Sequence, residues 1–246
     1  MADKMKRFGV IFFLSVFLIS CKCFYYTTPI RIQQAFIYKY DGKETGIDSL
    51  ININGYYKAN GYVNEKNDTI YHGGNMMFFK DGMFTQDMFS RNYYSKDISY
   101  LKDVPRFFQA VHQDDSLGIS NPFYERPIWG RYLIFGDTIK LQYVIRPILY
   151  SSDPSWYAME MWYKVIDKNM IQEIFTKPIG ISNMEKMNYY EARKREHIIL
   201  LPCTFVSTEI LPSSNGWIKQ KKWFWSNEKD WEEYMDSLKQ DKKKKR

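Results

Sequence analysis

The chain has 246 residues, 45% of them hydrophobic, with 20 Tyr, 17 Phe and 7 Trp. This composition excludes a disordered chain and leans toward strands, which favour aromatic side chains. The net charge of +7 lies at the two ends: Asp3, Lys4, Lys6 and Arg7 give +2, and Lys239–Arg246, with six cations and one acid, gives +5. The stretch between them is near neutral. No nucleic-acid partner is therefore expected, since that would want a basic stripe on the folded domain.

In chain order, Lys6-Arg7 precedes an apolar run from Phe8 to Ile19, which is followed by Ser20-Cys21. Cations, a short apolar stretch and a small residue before a cut are the order of a secretory signal. The run is too short to span a bilayer, which takes ~20 apolar residues. Leu18-Ile19-Ser20-Cys21 resembles the bacterial lipobox. The resemblance implies that residues 1–20 are a leader, and that Cys21 is acylated and opens the mature chain. The protein would then be held by lipid at the membrane of the cell envelope. Lys22 is not the acid that marks inner-membrane retention in enteric lipoproteins, so the expected site is the outer membrane, facing the periplasm. Residues 21–31 form a short tether with aromatics and Pro29 in place of a Gly/Ser linker.

Residues 32–226 read as a single β domain. Alternation in Asp48–Lys58 predicts a strand, and Asn60-Gly61 and Gly73-Gly74 predict turns. Met76–Phe84 folds back at Lys80-Asp81-Gly82 as a hairpin. Residues 100–126 carry prolines and Asp114-Asp115 and read as loops. Trp129–Phe135, Gly136-Asp137 and Thr138–Arg146 form the clearest hairpin. In its second arm Ile139, Leu141, Tyr143 and Ile145 share one face, and Lys140, Gln142, Val144 and Arg146 share the other. A further hairpin joins Trp156–Ile166 to Asn169–Thr176. Met184–His197 suits a polar helix, whereas Ile198–Leu201, Phe205–Leu211 and Trp217–Trp225 read as β-type runs.

Residues 227–246 supply a C-terminal helix and a basic tail. Ser226 or Asn227 caps the helix, with Glu228 and Asp230 in its first turn. Trp231, Tyr234, Met235 and Leu238 form a stripe that should dock on the β body. The tail reads as a solvated, disordered segment, with a contact to anionic lipid or glycan as the other reading.

About eight strands joined mostly by short hairpins predict a mainly β fold. It would be a single antiparallel up-and-down barrel or a sandwich, with a C-terminal helix. Asn54-Gly55-Tyr56-Tyr57, Met77–Phe84, Trp129-Gly130-Arg131-Tyr132, Gly136-Asp137-Thr138-Ile139 and Val165-Ile166-Asp167 together resemble the lipocalin-like lipoproteins of Bacteroidetes-type bacteria. That resemblance implies a lipocalin-like barrel over roughly residues 48–178.

Signs of catalysis are weak. His72, His112 and His197 are scattered; His112 beside Asp114 and Asp115 offers too few ligands for a metal, and Cys203 with His197 matches no nucleophile signature. No cofactor is expected. If Cys21 is acylated, Cys23 and Cys203 are the remaining cysteines and could form a disulfide. The residues that could carry function are Tyr132, Tyr143, Trp156, Tyr157, Trp162 and Tyr163. They either line a barrel that holds one small ligand or simply fill its core. The expected function is a non-catalytic, membrane-anchored module that binds a small apolar or amphipathic molecule. A filled barrel scaffolding an envelope complex, and a periplasmic enzyme acting on glycan or lipid, are the alternatives. The sequence names no protein partner.

Overall fold

A computed structural model describes residues 27–63, 69–70, 75–86, 128–145, 156–182, 185, 199–209, 211 and 213–244. The leader, Cys21 and Cys23, the three histidines, residues 100–126 and all but one residue of the expected 184–197 helix lie outside these.

The strands are β1 (Gly55–Lys58), β2 (Tyr62–Val63), β3 (Thr69–Ile70), β4 (Met76–Phe78), β5 (Met83–Gln86) and β6 (Ile128–Phe135). They continue with β7 (Thr138–Ile145), β8 (Tyr157–Asp167), β9 (Met170–Ile179), β10 (Ile199–Leu200) and β11 (Cys203–Ser207). Strands β4 to β9 meander, β11 adds to β9, β1 adds to β11, and β1 pairs back onto β4 to close an eight-stranded barrel. Every pairing in it is antiparallel. Strands β10, β2 and β3 form a small separate sheet.

The expected hairpins form where the turn chemistry demands them. Phe135 pairs with Thr138 across Gly136-Asp137, and Gly136 takes a φ of 61°, which a residue without Cβ adopts freely. The ammonium of Lys164 on β8 pairs with Asp137 in that turn. The β8–β9 hairpin turns at Lys168-Asn169, between the paired Asp167 and Met170.

Strand parity sorts the side chains into two cores. Inside the barrel, β7 contributes Ile139, Leu141, Tyr143 and Ile145, packed with Tyr57, Phe78, Phe84, Tyr132, Met161, Tyr163 and Ile171. On the outside, Met83, Trp129, Val144, Ala158 and Ile179 form a second core with residues from both ends of the described chain. The N-terminal wrap is helix α1 (Ile30–Ala35) and the extended residues after it; the C-terminal wrap is residues 213–225. The wraps meet in a parallel bridge between Tyr40 and Trp225. This explains why Val144, on the outward face of β7, is buried.

Three expectations need correction. Asp48–Lys58 is a strand only from Gly55; Ile47–Ser49 is a 3-10 turn. Ile47 and Ile51, four residues apart and joined by the bond from the Ile51 N–H to the Ile47 carbonyl (3.0 Å), both enter the barrel core. Trp217–Trp225 is not a strand but two 3-10 turns, Trp217–Gln220 and Lys222–Phe224. Gly216 lets the chain pass so close to the Trp129 ring that a side chain there would overlap it, and the turns bury Ile218 and Phe224. The basic tail is helical as far as Lys244, because α2 spans Glu228–Lys244. Lysines in a last helical turn complement the carbonyl end of the helix dipole.

Asn227 caps α2, its side-chain oxygen accepting the Lys229 N–H at 3.0 Å. The Trp231, Tyr234, Met235 and Leu238 stripe is half-buried. Its contacts reach the C-terminal wrap: Trp231 Nε1 donates to the Gln220 carbonyl (3.3 Å), and the Tyr234 ring lies 5.3 Å from Trp225.

Candidate functional site

The six aromatic candidates do not converge on one site. Tyr132, Tyr143 and Tyr163 point into the barrel. The Tyr132 hydroxyl donates to the Phe79 carbonyl at 2.6 Å and lies 2.7 Å from the Thr45 hydroxyl. Burial, partly offset by the Thr45 bond, raises the Tyr132 phenol well above its ordinary value. Trp156 is buried in the outer core, edge-on to Trp217 at 6.2 Å. Tyr157, at the start of β8, is exposed. Trp162 lies on the outer face, 4.6 Å from the Phe175 ring, with the Lys140 ammonium 3.8 Å above it.

Among the described residues the barrel interior is packed. Tyr57, Phe78, Phe84, Tyr132, Ile139, Leu141, Tyr143, Tyr163 and Ile171 are each 0–2% accessible. Cys203 is buried among them with a free thiol. Burial, with Glu173 nearby, pushes that thiol up to about 12.

Two polar clusters that sequence reasoning missed sit on the outer face. In the first, the buried Glu160 carboxylate accepts from Gln142 Nε2 (2.8 Å) and Trp162 Nε1 (2.8 Å), with the Lys177 ammonium at 3.5 Å. Gln142 Oε1 accepts the N–H groups of Ile37 (2.9 Å) and Tyr38 (3.2 Å), so it docks the N-terminal wrap. A groove of about 280 Å³ opens here between the wrap and the end of β9. Ala35, Ile37, Pro178 and Ile179 give it an apolar wall, and Glu160 and Lys177 give it a charged one.

In the second cluster Asp81, on the β4–β5 turn, accepts from Lys219 (2.7 Å), Ser214 (2.7 Å) and Tyr40 (2.9 Å). Arg131 donates to Asp41 at 2.8 Å. The Tyr40 ring lies near both cations, 5.3 Å from Arg131 and 4.6 Å from Lys219. Burial pushes the Asp81 carboxyl up, but Lys219, Ser214 and Tyr40 outweigh it and hold the carboxyl below its usual value. Burial lowers Lys219 against the pull of Asp81. Because Gln142, Glu160 and Arg131 occupy outward positions on strands, the sequence alone reads them as solvated. Among the described residues the two wraps cover them.

Among the described residues no group of three or more His, Cys, Asp or Glu is placed to hold a metal, and no helix is long and apolar enough to cross a membrane. Comparison with family models, curated proteins and solved structures gave no match to this chain. The described residues form an eight-stranded antiparallel closed barrel with a C-terminal helix.

Proposed function

We propose that this chain is a lipid-anchored cell-envelope protein whose lipocalin-like barrel is a filled, non-catalytic scaffold that works through its outer surface. The packed interior carries the reading: among the described residues Tyr57, Phe78, Phe84, Tyr132, Tyr143 and Tyr163 are 0–2% accessible, as in a barrel filled by its own side chains. Barrels of eight strands are just wide enough for side chains to fill. The leader and Leu18-Ile19-Ser20-Cys21 support the anchor on Cys21, and the outer membrane facing the periplasm remains the proposed location.

The test is native mass spectrometry of the full chain purified from bacterial membranes, with an organic extract of the same sample. The scaffold reading expects no stoichiometric small molecule; a bound apolar or amphipathic compound would restore the carrier reading. Acyl labelling of the full chain and of Cys21→Ser tests the anchor separately, since label that persists without Cys21 would end it.

A further inference from the structure

Helix α2 carries its charges sorted by sign. Glu228 to Asp236 holds five acids and one cation, and Ser237 to Lys244 holds four cations and one acid. The helix dipole favours acids at the start and cations at the end, but its reach is about one turn at either terminus. Glu232, Glu233 and Asp236 lie past the first turn, and Lys239 lies before the last.

Five of these residues share one face. Glu228, Glu232, Asp236, Lys239 and Lys243 recur at spacings of four, four, three and four, which at ~3.6 residues per turn sets them in a single row. All five are exposed. The row runs beside the stripe whose Trp231 and Tyr234 reach the C-terminal wrap. Within one chain the row works against itself. Glu228 and Glu232, Glu232 and Asp236, and Lys239 and Lys243 are like charges four apart, an arrangement that destabilises a helix. Relief inside the chain is partial: Glu228 touches Lys222 and Asp236 touches Lys239, all four side chains being more than half exposed. Among the described residues Glu232 and Lys243 have no ion pair.

The order of signs selects the occupant. A partner of uniform charge would match only half of the row. Three acids followed by two bases are complemented by the same row read backwards, which is a second copy of this helix lying antiparallel. With a two-fold axis between Met235 and Asp236, Glu228 of one copy stands opposite Lys243 of the other, and Glu232 opposite Lys239. The symmetry repeats both pairs, and such a self-complementary contact closes at a dimer. Met235, half-buried on its own chain, meets its counterpart near the axis.

We propose that this protein pairs with a second copy of itself through antiparallel α2 helices, along Glu228, Glu232, Lys239 and Lys243. The contact is mostly exposed charge, so it weakens as salt rises. The pairing depends neither on the Cys21 anchor nor on the filled interior.

Charge reversal tests it in the full chain, purified in non-ionic detergent with two different tags. Unchanged copies should retain one another at low ionic strength and progressively less as salt is added. A basic version, Glu228→Lys with Glu232→Lys, and an acidic version, Lys239→Glu with Lys243→Glu, should each lose self-association, because every cross pair becomes like-signed. Mixed together, the two should associate again, which a misfolded helix would not do. The register is read by oxidising the full chain carrying Cys23→Ser with either Asp236→Cys or Ser237→Cys, against the background of Cys23→Ser alone. A disulfide-linked dimer should form at 236, beside the axis, and not at 237, which faces away from the row. Absence of retention between unchanged copies at low salt overturns the pairing. So does self-association that either reversed version keeps, or a mixture that stays apart. Equal crosslinking at 236 and 237 overturns the antiparallel register.

Discussion

Asp81 Oδ2 and Lys219 Nζ lie 2.7 Å apart with side chains 20% and 4% exposed, joining the β4–β5 turn to the C-terminal wrap. Removing one partner of a buried pair leaves the other uncompensated, at a cost of about 3–5 kcal/mol. Lys219→Met should fall near the lower end, about 3 kcal/mol, because Asp81 keeps Ser214 and Tyr40 as donors. Urea unfolding measures the loss.

The same carboxylate makes stability fall in acid. Its folded pKa is below the ordinary 3.8, so below that value the unfolded chain binds the proton first, and stability drops as pH falls toward the folded pKa. Above the ordinary value the contribution is fully present. Asp81→Asn should be weaker at neutral pH and should show a shallower acid limb. Urea midpoints from about pH 6 to about pH 2 test this; parallel limbs in the two proteins would remove Asp81 from the account.

A filled interior makes opposite substitutions costly. Tyr143→Ala empties space beside Phe84, whose ring lies 6.1 Å away, and should cost about 3–5 kcal/mol. The cavity left would be apolar and should bind benzene or xenon, which the unchanged protein should not. Gly130 faces Phe84 and Tyr143 from β6, and a Cβ there would overlap the Gln142 carbonyl and the Phe84 ring. Gly130→Ala should therefore destabilise by about 1–3 kcal/mol or more. Thermal unfolding with and without benzene reads both. A Gly130→Ala protein of unchanged Tm would show slack that the packing does not contain.

The meander was legible because period-two alternation and two-residue turns are local. Ile139, Leu141, Tyr143 and Ile145 announce an inward face by themselves, and Gly136-Asp137 announces the turn that sets their register. Closure was only an expectation, since it depends on Tyr57 meeting Met76, nineteen residues on in the chain. The outer layer was illegible for a physical reason. Gln142, Glu160 and Arg131 look like residues of a wet face until segments more than 80 residues away in sequence cover them. The aromatics of Trp217–Trp225 mimicked a strand because packing, not backbone pattern, chose them. Of the candidate aromatics, Tyr132, Tyr143, Trp156 and Tyr163 are core and Tyr157 and Trp162 are not, and no sequence pattern divides Tyr143, inside, from Trp162, outside under Lys140.

One side-chain amide, that of Gln142, ties the N-terminal wrap to β7. Gln142→Leu keeps the side chain's bulk but leaves the Ile37 and Tyr38 N–H groups, and one oxygen of Glu160, without their partner. Each buried polar group so stranded costs about 1–3 kcal/mol, part of which Ile37 recovers by reaching water. Residues 36–41 should exchange amide hydrogens faster than in the parent, while β6–β7 hairpin amides change little. Uniform acceleration across the barrel would mean that Gln142 serves global stability and not the docking of the wrap.

Cys203 offers the simplest probe of the closed interior. The thiolate is the reactive form, and here the thiol is both buried and pushed up to about 12 by that burial and by Glu173. In the full chain carrying Cys23→Ser, Cys203 should resist a disulfide reagent at about pH 8 and react at once in denaturant. Its rate in dilute urea then reports opening of the β9–β11 seam, where Cys203 pairs with Ile171. Prompt reaction in native buffer would mean that this side of the barrel opens readily and that a ligand could enter there. In the unchanged chain, non-reducing peptide mapping adds the other half: a Cys23–Cys203 crosslink would draw the tether to that same seam, whereas two free thiols would show that no disulfide ties it there.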